Sequence, residues 1–216
     1  MSRLLAYERE AWKSGVALVA GIDEAGRGPL AGPVFAAAVR FERAWLEREA
    51  DKSLKGLTDS KQLSPARREF FVALLTGEEA KGHVFHGIAQ STAQEIDELN
   101  ILRATHLAMR RALEALPGGA DLALVDGLPV HGLPIPHQAI VKGDASSLSI
   151  AAASVLAKVS RDRMMVALDE KYPGYGFAEN KGYGTAAHLK ALLELGPCPE
   201  HRRSFAPVRA VQLPLF

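Results

Sequence analysis

The order of apolar and amphipathic segments predicts an α/β layer fold, with helices on the faces of a sheet. Three observations predict it. Short apolar runs end at turn residues, two helix starts carry explicit capping signatures, and acidic residues sit where apolar runs stop. Strands dominate the early chain; a helix, two strands and a helix follow.

Residues 16–23 are apolar with β-branched residues near the ends, and they run into Glu24-Ala-Gly-Arg-Gly-Pro29, which predicts a buried strand ending at Asp23. A second strand is expected over 34–41. Ser64-Pro65 has the form of an N-cap followed by proline at the first helical position, so a helix should run to Leu75 and stop at Gly77. A third strand covers 83–89. Thr92-Ala-Gln-Glu95 has capping-box spacing and opens one long helical pattern to about Leu116, closed by Pro117-Gly118-Gly119. Residues 122–126 form a short buried strand, 129–136 a Pro-rich loop and 138–141 a final strand. An Ala- and Ser-rich helix over 147–172 suits close packing on the sheet. A helix over 185–195 precedes a tail with little regular pattern. The segment before residue 16 reads as charged and is not assigned an element.

With 216 residues and 48% hydrophobic content, the chain can bury one sizeable core, expected as a catalytic unit over 1–209 with a tail over 210–216. The single cysteine, Cys198, rules out an internal disulfide framework, and Met1-Ser2-Arg3 does not open an apolar export signal. A cytoplasmic setting fits. No charge-free apolar run reaches the roughly 18 to 20 residues of a membrane span, so no membrane partner is expected. The net charge of +1 decides nothing about nucleic acid, since binding depends on where basic residues sit. Residues 138–216 carry a small basic surplus, ten Lys or Arg against seven Asp or Glu.

Open α/β sheets bind ligands at the carboxyl ends of neighbouring strands. Asp23 and Asp126 each end an expected strand, so the two meet if those strands are adjacent. Asp23 and Glu24 in Gly21-Ile-Asp-Glu-Ala-Gly26, Asp126 in Leu124-Val-Asp-Gly127 and Asp144 in Lys142-Gly-Asp-Ala145 make four acidic candidates. Successive strand residues point to opposite faces, so Asp23 and Glu24 should share a site only if the chain turns between them. Crowded carboxylates demand a cation or raised pKa values. Oxygen ligands without a spaced Cys or His set favour Mg²⁺ and Mn²⁺ over zinc. A pair of such ions would suit hydrolysis of a nucleic-acid backbone.

The run Gly21-Ile-Asp-Glu-Ala-Gly-Arg-Gly-Pro-Leu-Ala-Gly-Pro33 resembles the opening signature of the ribonuclease HII family, the type 2 ribonucleases H. Further matching motifs follow in order: Asp59-Ser-Lys61, Asn100-Ile-Leu102, Leu124-Val-Asp-Gly127 and Lys142-Gly-Asp144. Residues 149–158, Arg161-Asp162, Lys181-Gly-Tyr-Gly-Thr185 and His201-Arg-Arg-Ser-Phe205 complete the series. The resemblance covers about residues 16–209. It implies a ribonuclease H-like fold, a five-stranded mixed sheet flanked by helices, with a helical C-terminal portion that helps hold the duplex. Asp23, Glu24, Asp126 and Asp144 match the family's catalytic, metal-binding positions, with two Mn²⁺ or Mg²⁺ ions per site. The implied substrates are RNA/DNA hybrids and duplex DNA carrying a single ribonucleotide. Cutting 5′ of the ribonucleotide leaves 3′-hydroxyl and 5′-phosphate ends, as in ribonucleotide removal and RNA primer processing.

Only the 2′-hydroxyl marks a single ribonucleotide, and Gly26, Arg27 and Gly28 let the backbone approach it. In the family this turn, with the tyrosine matching Tyr183, reads the RNA/DNA junction. Lys61, Lys142 and Lys181 are expected phosphate contacts. Ser147 is a further candidate, whereas Ser154 is expected to pack. His201 lies in a matching motif with no assigned role. The tail Gln212-Leu-Pro-Leu-Phe216 resembles the short motif by which bacterial repair proteins bind the sliding clamp, through Gln212, Leu213, Leu215 and Phe216. A monomer is expected. Two other classes use part of these features: a two-metal phosphatase or DNA nuclease that ignores the 2′-hydroxyl, and a non-catalytic duplex binder. A duplex carrying one ribonucleotide separates the first from the expected activity, and Asp126→Asn separates the second.

Overall fold

A computed structural model describes residues 3–212. Five strands form one mixed sheet in the order β3-β2-β1-β4-β5. These are β1 (Val19–Ala25), β2 (Val34–Phe41), β3 (Val84–Ser91), β4 (Leu122–Asp126) and β5 (His137–Ile140). The first three pair antiparallel, while β1–β4 and β4–β5 are parallel. All eight residues of β2 are buried, as expected for a strand covered on both faces.

Nine α-helices lie among the described residues: α1 (Ala6–Lys13), α2 (Arg43–Glu49), α3 (Pro65–Thr76), α4 (Ala93–Leu99), α5 (Ile101–Glu114), α6 (Leu148–Lys171), α7 (Phe177–Asn180), α8 (Ala186–Leu195) and α9 (Ala206–Gln212). Alternation along β2 divides the core. Ala37 and Val39 face α6 and α3, while Ala36 and Ala38 face Ala104, Ala108 and Ala112 of α5. Small side chains let both central helices come close. A Cβ on Gly21 would lie 2.1 Å from the Ser149 carbonyl carbon, so α6 can cross β1 only over a glycine.

The expected strands and capped helices form, with several differences. β1 begins at Val19 rather than Val16, because the Val16 N–H bonds Ala11 O at the end of α1. The pattern expected as one helix over 92–116 is two. Asn100 breaks it at φ 69 and its side chain caps α5 through the Leu102 and Arg103 N–H groups. The charged N-terminal segment contains α1, whose polar residues hide the buried Glu8 and Ala11. Helix α2 starts at Glu42, whose carboxylate accepts from Ala44 and Trp45 N–H. The tail expected to be irregular contains α9, so regular structure passes residue 209. Among the described residues, no helix is long and apolar enough to cross a membrane. Leu213, Leu215 and Phe216, with the side chain of Gln212, lie outside the described residues.

Candidate active site

Strands β1 and β4 run parallel up to the pair Ile22 and Val125, and the next residue on each is an aspartate. Asp144 comes from a 3-10 turn, Gly143–Ala145, that follows β5, and the Gly143 N–H donates to Asp126 Oδ1 at 2.7 Å. Asp23, Asp126 and Asp144 thereby bring one carboxylate oxygen each within 4.8 Å of one another. The adjacency required for two strand-end carboxylates to meet is present.

Glu24 corrects one expectation. The chain does not turn between Asp23 and Glu24; β1 continues to Ala25, paired with β2. Beyond Ile22, however, β1 has no pairing with β4, so the open edge gives both strand faces access to one cleft. Glu24 lines that cleft beside Asp126 and also borders an adjoining groove formed by Leu102, His106 and Leu128. It stands outside the three converging carboxylates, with Arg27 donating to its Oε1 at 3.4 Å.

The acidic groups are held against their own charge. Asp23 is 5% exposed, and its carboxyl is raised well above the usual range, first by burial and then by Glu24 and Asp126. Bonds from Ser154 and the Glu24 N–H, the latter at 2.7 Å, only partly offset this. Burial raises Glu24 despite Arg27. Asp144 is pushed up to about 6 by burial, then by Asp126 and Asp59. Three convergent oxygens whose ionised forms repel fit a hard divalent cation, which would remove the penalty while using oxygen ligands alone.

The cleft has a volume of about 350 Å³ and takes in Gly26, Arg27, Gly28, Lys61 and Tyr183 with the four acids. Gly26 has φ 98, and a Cβ there would sit 1.9 Å from Arg161 Nε, so conformation and space both require glycine. Tyr183 is 45% exposed, and its Cε1 lies 3.7 Å from where a Cβ on Gly28 would be. The ring therefore stands beside the 26–28 turn. Two buried arginines tie this region together. Arg202 donates to the carbonyls of Gly26, Arg27 and Gly32 at 2.6, 2.8 and 3.0 Å. Arg161 donates to Pro33, Lys181 and Ala31 carbonyls at 3.0, 3.0 and 3.2 Å.

Three expected substrate contacts lie elsewhere. Ser147 is fully buried, caps α6 and donates to Glu8 Oε1 at 2.6 Å. Lys181 adopts φ 52, turns its Nζ to the Ala178 carbonyl and borders a separate groove beside α3 and α6. Lys142, at φ 56, is exposed next to the Asp144 turn but does not line the cleft. Conversely, Ser154, expected to pack, lines the cleft while bonding Ser60 Oγ at 2.9 Å. Lys158 also reaches the cleft, and Asp59 acts on Asp144. Their motifs were visible in the sequence, but their proximity was not. Arg161 and Arg202 lie in matching motifs too, but their burial was not legible, since a buried arginine is rare and its partners here are backbone carbonyls.

A family model described as Ribonuclease HII matches residues 20–208. The chain belongs to the ribonuclease HII family. It is 53% identical over 208 residues to a ribonuclease HII of Geobacillus kaustophilus, covering 96% of this chain and 75% of that one. Against a ribonuclease HII of Cereibacter sphaeroides it is 52% identical over 206 residues, covering 95% and 92%. The crystal structure of ribonuclease H2 from Pyrococcus horikoshii matches with a TM-score of 0.73 and 29% identity, over 90% of this chain and 97% of that one. An Archaeoglobus fulgidus ribonuclease HII, solved in complex with PCNA, matches with a TM-score of 0.63 and 27% identity, over 87% and 95%. The enzyme is a metal-dependent endoribonuclease acting on the RNA of RNA/DNA hybrids, and its acidic cluster is in place for a metal.

Proposed function

We propose that this enzyme cuts on the 5′ side of a ribonucleotide, including a single one embedded in duplex DNA, with Asp23, Glu24, Asp126 and Asp144 as its catalytic carboxylates. The observation that carries this reading is the convergence of three carboxylates at the end of β1 and β4, with the 26–28 turn and Tyr183 on the same cleft. Two Mg²⁺ or Mn²⁺ ions, when bound, would supply an activated water and stabilisation of the leaving oxygen. Asp23, Asp126 and Asp144 would hold one ion, and Glu24 with Asp126, which share the cleft with the adjoining groove, would hold the other. Water attacks phosphorus in line, the bond to the 3′ oxygen breaks, and the products are a 3′-hydroxyl and a 5′-phosphate.

The chain's own part is positioning. Arg202 fixes the Gly26 and Arg27 carbonyls, which sets the peptide planes of the turn that approaches the 2′-hydroxyl. Tyr183 offers an exposed ring to the neighbouring sugar, while Lys61 supplies sequence-independent attraction to phosphate. Lys142, on the exposed rim, serves more distant phosphates. Such chemistry suits ribonucleotide removal and RNA primer processing by a cytoplasmic monomer. The resemblance of residues 212–216 to a clamp-binding motif supports docking on a sliding clamp. Unchanged clamp capture after deleting those residues would sink that part.

The test is a labelled duplex DNA with one ribonucleotide, incubated with Mg²⁺, with Mn²⁺ and with chelator. A metal-dependent nick immediately 5′ of the ribonucleotide is expected. Cutting restricted to long RNA runs would remove the junction-reading role of Tyr183 and the 26–28 turn. Cutting of all-DNA duplex would indicate a nuclease indifferent to the 2′-hydroxyl.

A further inference from the structure

Behind Tyr183, away from the carboxylates, two buried histidines make a chain of hydrogen bonds with one direction. The Cys198 N–H donates to His201 Nδ1 at 3.0 Å. An amide nitrogen can only donate, so Nδ1 is an acceptor and neutral His201 carries its proton on Nε2. That Nε2 lies 3.0 Å from His188 Nε2, which must accept. His188 therefore carries its proton on Nδ1, 2.9 Å from the Tyr183 carbonyl oxygen, and donates to it. The Cys198 sulfur, 3.2 Å from His201 Nδ1, faces the same lone pair.

Nothing in this chain tolerates a second proton. Both rings are buried and packed against the edges and faces of Tyr175 and Phe177, with centroids 4.9 Å apart for Tyr175–His201 and 5.4 Å for Phe177–His188. Burial lowers His188, and His201 is pushed down to about 4 by burial and by His188, so both are neutral near pH 7. A proton on His188 Nε2 would set two N–H groups head to head.

The chain ends on the residue beside the turn. Residues 182–184 are held on their other side by the Leu30 N–H, which donates to the Gly182 carbonyl at 2.8 Å, and by Arg161 on the Lys181 carbonyl. Arg202, adjacent in sequence to His201, grips the Gly26 and Arg27 carbonyls. One short C-terminal segment thus holds the turn directly and the tyrosine through His188.

We infer that His188 and His201 are positioning residues for Tyr183: their directional hydrogen-bond chain sets the pose of the ring beside Gly28 and so the preference for a ribonucleotide junction. The inference rests on the junction-reading role proposed above. It concerns neither the metal site nor the bond broken.

The measurement is the ratio of kcat/KM on duplex DNA with one ribonucleotide to kcat/KM on a long RNA/DNA hybrid. A folding defect scales both values together and leaves the ratio alone. His188→Phe keeps an aromatic ring but removes both bonds, and the ratio should fall about tenfold, the size of one lost hydrogen bond. His188→Asn places a donor near the Nδ1 position and should recover the ratio to within about threefold of the starting enzyme. If His188→Phe does not fold, His201→Phe supplies the same reading, since it leaves the His188 tautomer unset. Ratios unchanged in the histidine variants, alongside a changed ratio in Tyr183→Ala, would overturn the inference alone. An unchanged ratio in Tyr183→Ala would remove the junction reading, and this inference with it.

Discussion

The cleft end of the sheet and the buried arginine pair, Arg161 and Arg202, solve opposite problems with like charges. At the cleft, Asp23, Asp126 and Asp144 converge with too little compensation, and Asp23 and Asp144 are held above their ordinary pKa values. Arg161 and Arg202 are both buried, yet six backbone carbonyls receive their N–H groups. Burial lowers both, but each guanidinium, donating from all three of its nitrogens, remains a cation. One cluster is complete without a ligand and therefore supports a shape. The other is incomplete without a cation and therefore binds one.

The sharpest way to break this comparison is Asp126→Asn. It should lower kcat by at least about a thousandfold, because it removes a carboxylate from the cation site, while binding of hybrid persists. Without metal its melting temperature should hold or rise, since a repelling charge has gone. A fall of several degrees, or retained cleavage, would count against an acidic cluster that is strained when empty.

Arg202→Ala should do the reverse. Leaving three carbonyls and a cavity behind should cost about 3 kcal/mol of stability in denaturant unfolding, with metal affinity little changed. A cost under about 1 kcal/mol would mean that solvent replaces the guanidinium.

The pH dependence of the metal-free enzyme is a smaller effect. The Asp144 pKa is raised from 3.8 to about 6, so the folded state binds protons more tightly than the unfolded state. Its contribution is fully present below about pH 4 and is lost as pH rises through about 6, the slope running opposite to a salt-bridged aspartate. Allowing for partial solvent exposure, the loss should be about 1 to 2 kcal/mol. Melting curves between pH 4 and 7 should show it in chelator, Asp144→Asn should reduce it while Asp23 and Glu24, raised in the same direction, keep a slope of the same sign, and saturating Mn²⁺ should offset it.

The smallest effect separates two lysines. Lys61→Ala, inside the cleft, should lower kcat/KM about tenfold, against less than about threefold for Lys142→Ala on the rim. Equal losses would move Lys142 into the contact surface.

The four acids were legible because Asp23 and Asp126 end apolar runs and all four lie in short motifs with small, turn-forming neighbours. The helix starts at Ser64 and Thr92 were legible because capping is local chemistry. The break at Asn100 was not, since 3.6-residue periodicity continues across it and only the cap geometry reveals two helices. Helix α1 was missed because its buried face includes a glutamate, and the bonds to Glu8 Oε1 come from Ser147 and Ser149 far along the chain. That same bond removed Ser147 from the expected substrate contacts.

By itself the sequence determined the α/β class, the strand-end carboxylates, the glycines of the 26–28 turn and the family, all matters of residue type, order and short spacing. Tertiary structure alone decided that Asp23 and Glu24 share a cleft without a turn, that Lys181 points away, that Arg202 holds the carbonyls of the 26–28 turn, and that Arg161 and His188 reach the carbonyls of Lys181 and Tyr183. The physical reason is range. Periodicity and capping act over a few residues, whereas which strand edge stays unpaired and which buried donor finds which carbonyl depend on register and packing between distant segments.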